Sequence, residues 1–159
     1  MSRRHGPIGR LGPNLFENRL EEAEVELLSI LPDVVSEAME MNSPYVARLF
    51  PPTYPFEPES QKEFDSLIGE SLIERHRGLL SGFTSTLRQK HLNHNDLATW
   101  VGAINDIRLV LGSALEVFEG MEDPDESDPQ FQDYMIYNYL SWLQGSILDF
   151  LSEQFSDQQ

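Results

Sequence analysis

The stretch Trp100–Leu115, WVGAINDIRLVLGSAL, constrains the fold more than any other part of the chain. Laid on a helix, Leu97, Trp100, Val101, Ile104, Ile107, Leu111 and Leu115 share one face. Leu109 and Val110 add apolar surface on the other side, so the C-terminal half is apolar nearly all round. A helix of that kind is packed on several sides, which predicts the centre of a bundle. Arg108 falls in the middle of the main apolar face. A buried guanidinium has to be paired, because removing its partner costs about 3–5 kcal/mol. Asn105 neighbours Arg108 at three-residue spacing, while Asp106 projects nearly opposite to it. Arg108 is therefore expected to meet a carboxylate from another helix, and Asp106 a separate partner. Asn105, Asp106 and Arg108 read as a polar lock on helix register, with a ligand-binding site as the alternative.

The rest of the chain is punctuated by proline and glycine. Residues 1–14 carry MSRRHGPIGRLGP without a helical period, which predicts a flexible basic arm. Leu15–Leu20 reads as a short strand or an extended lead-in. From Glu21, Leu27, Leu31, Val34, Ala38 and Met41 recur at helical spacing, and Pro32 is expected to kink or split that helix. Ser43-Pro44 opens a brief helix, with serine as cap and proline in the first turn. PPTYPFEPE then reads as an extended connector pinned by Tyr54 and Phe56.

Ser60-x-x-Glu63 is a capping box for a long helix with Phe64, Ile68, Leu72, Leu79, Phe83 and Leu87 on its stripe. Gly69, Gly78 and Gly82 inside it predict a close helix crossing or a break. His76 beside the stripe reads as a structural histidine, with a proton-linked switch as the alternative. Asn95 or Asp96 is expected to cap the central helix. Asp128-Pro129 opens a last helix that buries Met135, Ile136, Tyr139, Leu140, Leu143, Ile147, Phe150 and Leu151. Phe131, Tyr134 and Tyr137 fall on its other side, available to a partner, to a homodimer, or to the N-terminal segment. The expected fold is all-α: a single-domain helical bundle of four to six helices with a central apolar helix. It occupies residues 15–152, and residues 153–159 are expected to form a frayed acidic tail.

Charge narrows the function classes. The net charge is −16, and no Lys or Arg follows Arg108. Such a body repels a phosphate backbone, so direct nucleic-acid binding is not expected. The acidic loop, with Asp123, Asp125, Glu126 and Asp128, serves solubility or steers the protein toward a basic partner. Neither a membrane-length apolar run nor a secretory apolar region is present, which predicts a cytoplasmic protein with no membrane partner.

Signatures of chemistry are missing. With no cysteine in the chain there is no disulfide, thiolate metal site or thiol nucleophile. Gly6, Gly9 and Gly12 lack the strand and lysine of a phosphate loop, and no serine sits in a nucleophile elbow. His91-x-x-His94 has ligand-like spacing but no third ligand, and the acidic loop lacks the EF-hand order. Glu74 and His76 lie two apart, on different helix faces, which rules out the paired motif of a helical di-iron site. Neither an enzyme nor a cofactor is expected.

Three blocks carry a resemblance: SPYVARLFPPTYPFEPE, WVGAINDIRLVLGSALEV and YNYLSWLQGSIL. In order and spacing they are similar to an actinobacterial family, long catalogued as a domain of unknown function and now labelled AosR. Its members are described as oxidation-responsive transcriptional regulators, typically encoded near the ClpS adaptor gene. The resemblance runs from about Glu21 to Leu151, with AINDIRLVLG (103–112) its most specific part. It implies a non-enzymatic regulatory protein acting through protein contacts, with a sigma factor or RNA polymerase as partner. A cysteine-pair sensing mechanism does not transfer, because this chain has no cysteine. The alternative is a helical small-molecule- or metal-binding protein with a pocket near Arg108.

Overall fold

The computed structural model describes residues 6–41, 43–49, 58–118 and 120–157, without the side chains of 48, 58–69 and 154–157. The connector with Tyr54 and Phe56, and the Ser60-x-x-Glu63 capping side chains, lie outside that description. Four helices are present: α1 (Glu22–Glu40), α2 (Pro58–Thr86), α3 (His94–Ala114) and α4 (Phe131–Asp157), with a 3-10 segment Pro44–Leu49 after α1. Three strands, β1 (Ile8–Gly12), β2 (Leu15–Asn18) and β3 (His91–Leu92), form an antiparallel sheet in that order. The fold is therefore mixed, helices plus a small sheet, and the all-α expectation is corrected.

β1 lies in the stretch expected to be an arm, β2 in the stretch read as a short strand or extended lead-in, and β3 just before the central helix. β1 and β2 join through the two-residue loop Pro13-Asn14, with an irregularity between Arg10 and Gly12 that leaves Leu11 without a paired residue. Ile8, Phe16 and Leu92 put one side chain from each strand into the core. Space at Gly9 is taken by the Arg19 guanidinium, where a Cβ would otherwise sit. Sequence alone reads the β1 stretch as loop because prolines and glycines fill it, leaving too little alternation to register as a strand. Tertiary contacts supply what the pattern lacks. The His94 backbone N–H donates to Asn14 Oδ1 (2.9 Å), and His94 Nε2 lies 2.8 Å from the Pro13 carbonyl. Asn18 Nδ2 donates to the Leu87 and Gln89 carbonyls, tying β2 to the end of α2.

The central position of α3 is as the sequence predicts. It contacts α1, α2, α4 and the 3-10 segment. Leu97, Trp100, Ala103, Ile104, Ile107 and Val110 are buried along it. Trp100 meets Phe83 edge-on at 5.3 Å and donates from Nε1 to Thr86 Oγ1 at 2.6 Å. The cap is Asn93, not Asn95 or Asp96: its side chain accepts from the Asp96 N–H, and the Asp96 carboxylate accepts from the Asn93 N–H. Small residues let the helices close up. A Cβ on Gly82 would lie 3.0 Å from Thr99, one on Gly102 3.1 Å from Leu79, and one on Gly112 3.0 Å from Tyr137.

Three further expectations change. α1 runs unbroken through Pro32, whose side chain is buried, so the helix is not split. Its core face is Val25, Leu28, Leu31, Pro32, Val35 and Met39, leaving Val34 and Met41 outside. α4 (Phe131–Asp157) is turned so that Tyr134 is buried and Met135 exposed. Among the described residues, no helix is long and apolar enough to cross a membrane.

Candidate functional site

α3 carries two polar centres, one on each flank. On the α2 side, Asp106 is 4% exposed. Its Oδ2 sits 2.6 Å from His76 Nδ1, and the other ring nitrogen, Nε2, lies 3.1 Å from the Leu49 carbonyl. Burial pushes the Asp106 carboxyl above its ordinary value; the charge of His76, its hydrogen bond and the charge of Arg75 pull the other way and do not outweigh burial. This centre joins α2, α3 and the 3-10 segment through one imidazole. Sequence reading singled out both residues and did not pair them, because thirty residues separate them and spacing rules reach only along one helix.

On the α4 side, Arg108 is half-buried and its partners are neutral. Nε donates to Ser141 Oγ (3.0 Å) and Nη1 to Gln144 Oε1 (2.6 Å), while the guanidinium lies 5.4 Å from the Tyr137 ring centroid. The expected carboxylate from another helix is not its partner. The α3–α4 seam is already uncharged where Arg108 reaches it, and the amide, hydroxyl and aromatic face satisfy the fork without a second buried charge. Gln144 closes the cluster by donating from Nε2 to the Val101 carbonyl (3.3 Å) and to Asn105 Oδ1 (3.4 Å). Asn105 and Arg108 thus meet in one cluster, and Asp106 belongs to the other. Both clusters bind helix to helix.

The partner-facing candidates separate as well. Asp123, Asp125 and Glu126 are exposed, whereas Asp128 accepts from the Gln130 N–H (2.8 Å) and caps the start of α4. Tyr134 is 7% exposed and donates to the Leu115 carbonyl (3.0 Å), so it is a core residue rather than a contact residue. Phe131 is half-buried, and so is Tyr137, which is engaged by Arg108 and Gly112. Among the described side chains of α4, the open large ones are instead Met135, Trp142 and Leu148. A pocket of about 110 Å³ lies under the acidic loop, lined in part by Met121, Asp123, Tyr134 and Tyr137.

The His91-x-x-His94 spacing does not build a metal centre. His91 lies exposed on β3, while His94 has Nε2 against the Pro13 carbonyl and Nδ1 buried without a partner. No group of three or more His, Asp or Glu able to hold a metal is present among the described residues. One surface escaped the sequence reading. Ile30 and Val34 on the outside of α1 and Met41 at its C-cap, spaced by four and seven, form a stripe and are 60%, 49% and 80% exposed. Of the stripe read as core, Leu31 is buried and Leu27 and Ala38 pack against the core, but Val34 and Met41 lie outside, because α1 is apolar on more than one face.

No curated protein and no solved structure matches the chain. A family described as a domain of unknown function, DUF2017, matches residues 7–151, a span that takes in the sheet, both polar centres of α3 and most of α4. The chain therefore belongs to the DUF2017 family.

Proposed function

We propose that this chain is a non-enzymatic regulatory protein of the cytoplasm that works by docking a protein with a basic surface. The observation that carries the reading is the outer face of α1. Ile30 and Val34 stand open on a helix, Glu22–Glu40, that contains neither Lys nor Arg, and Met41 at its C-cap continues the row. Glu26, Asp33 and Glu37, all exposed, border or share that face. An apolar ridge edged with carboxylates complements an apolar strip edged with Lys or Arg, whereas a second copy would set acid against acid. The exposed Asp123, Asp125 and Glu126 extend the same negative field and would speed encounter with a basic partner.

The resemblance to the AosR-labelled regulators makes a sigma factor or RNA polymerase the first partner to try. Oxidation sensing by a thiol pair is not part of the proposal, since the chain has no cysteine. A ligand pocket at Arg108 has less support, because Ser141, Gln144 and Tyr137 already engage that side chain.

The test is a binding titration with purified RNA polymerase core and the principal sigma factor, at low and at physiological salt. Binding that weakens with salt, and falls at least about tenfold in Val34→Glu with the melting temperature unchanged, is the expected result. Undiminished binding by Val34→Glu would reject the α1 face, and no binding to either partner would reject the transcription machinery.

A further inference from the structure

We propose that the pocket of about 110 Å³ between the loop after α3 and the first turns of α4 binds an alkylated ammonium group, the cationic head of a small molecule or of a methylated lysine. The chain makes this pocket by folding back on itself. α3 ends in a double hydrogen bond, Val117 N–H to the Gly112 carbonyl (2.9 Å) and Glu116 N–H to the Ser113 carbonyl (3.2 Å). That closure holds Glu116 in the left-handed region, at φ 57°, where glycine is the usual residue. A second turn follows, in which Met121 N–H donates to the Phe118 carbonyl (3.2 Å). Tyr134 ties the loop down, because its hydroxyl donates to the Leu115 carbonyl (3.0 Å) and lies 3.6 Å from Met121 Sδ. The Tyr137 ring fills the space that a Cβ on Gly112 would need.

The lining matches one kind of ligand. Three aromatic side chains, Phe118, Tyr134 and Tyr137, share it with the carboxylates of Glu122 and Asp123. With its hydroxyl spent on Leu115, Tyr134 offers the pocket its ring. Aromatic faces attract a cation through their quadrupole, and a cage of them is how quaternary ammonium groups are recognised. Val117, Met121 and Pro124 add apolar surface that suits methyl groups. The same surface gives a primary ammonium no acceptor in place of the water it would shed. Size agrees as well. An apolar cavity of about 150 Å³ takes benzene, so about 110 Å³ suits a compact head such as trimethylammonium. Phe118 is 66% exposed, which leaves its ring open to an incoming ligand.

Charge around the pocket favours a cation. Glu116, Asp125 and Glu126 are exposed in the same stretch, and no Lys or Arg follows Arg108. Arg108 lies 5.4 Å from the Tyr137 centroid, but it is outside the lining and its hydrogen bonds go to Ser141 and Gln144. The site is separate from the docking face on α1, so each can fail without the other.

The experiment titrates choline chloride into the ¹⁵N-labelled full chain at physiological salt. Its control is the uncharged alcohol of the same shape, with carbon in place of the nitrogen. The Val117 and Met121 amides should shift saturably with choline while the Leu28 and Ile104 amides stay still. The alcohol should bind at least about tenfold more weakly, as expected when the cation–π and carboxylate attraction is lost. Phe118→Ala removes an exposed ring and should weaken choline by about threefold or more, with the melting temperature unchanged. A peptide carrying trimethyl-lysine forms the second arm, with the unmodified peptide beside it. Tighter binding of choline supports a small-molecule site, and tighter binding of the trimethylated peptide supports a reader of modified protein. Absence of any saturable shift in the loop, with both millimolar choline and the trimethylated peptide, overturns the site. Equal binding of choline and the uncharged alcohol overturns it too, as does unchanged affinity in Phe118→Ala.

Discussion

Asp106 and Arg108 lie two residues apart on one helix and meet opposite electrostatic fates. Asp106 is 4% exposed, and burial raises its carboxyl above the ordinary value of 3.8 despite the histidine beside it. A raised folded value means the folded chain holds that proton more tightly than the unfolded chain does. Its contribution is then fully present below 3.8 and is lost as pH rises through the folded value. The stability of wild type relative to Asp106→Asn should accordingly fall between pH 3.5 and pH 6.5 in thermal melts. A gap that widened in favour of wild type would mean that pairing with His76 outweighs burial. Arg108, by contrast, keeps part of its surface in water and uses neutral acceptors. Arg108→Ala should cost about 2 kcal/mol in denaturant melts, the value of two charge-assisted hydrogen bonds and a ring contact discounted for exposure. A loss twice that size would indicate a hidden carboxylate partner.

Elements were legible in the sequence to the degree that local pattern, and not distant contact, creates them. α3 could be read directly because Leu97, Trp100, Ile104 and Ile107 repeat at helical spacing and are all buried. The brief turn after Ser43-Pro44 could be read from its cap. The faces of α1 and α4 were harder, since both helices are apolar on more than one side, and only packing decides that Val34 and Met135 stay outside. The sheet was legible only at β2: β1 pairs with it across a two-residue loop but has too little alternation to register, and β3 exists through a partner far back in the chain. Asn18 is the clearest such link. Its side chain donates to Leu87 and Gln89 carbonyls at the end of α2 and accepts from the Leu20 N–H. Asn18→Ala removes all three bonds from a partly buried corner and should cost about 2 kcal/mol. Amide exchange should show the loss concentrated in β2 and β3. A uniform effect across α3 and α4 would mean that the sheet does not form a separate joint.

At the scale of the whole molecule the dominant fact is a net charge of −16, from 27 acidic and 11 basic residues. Among the described residues, surface ion pairs between elements do little to offset it. Arg88–Glu22 (2.9 Å), Arg10–Glu153 (3.4 Å) and Arg77–Glu40 (3.9 Å) are all exposed, a setting in which such pairs contribute little. Self-repulsion among the remaining carboxylates therefore works against the compact state. It is long-ranged at low ionic strength and is cut to roughly 8 Å at physiological salt. Raising sodium chloride from 10 to 150 mM should consequently raise the melting temperature, by about 3 °C if screening returns about 1 kcal/mol to a domain of this size. A melting temperature that falls with salt would place the balance with the ion pairs instead. The same field gives the docking proposal its internal check. Carboxylates that weaken the free protein should be relieved by a basic partner, so low salt should at once destabilise the isolated chain and strengthen the complex. Finding both trends together would tie the acidic surface to binding; a complex whose affinity ignores salt would leave the charge with no role in docking.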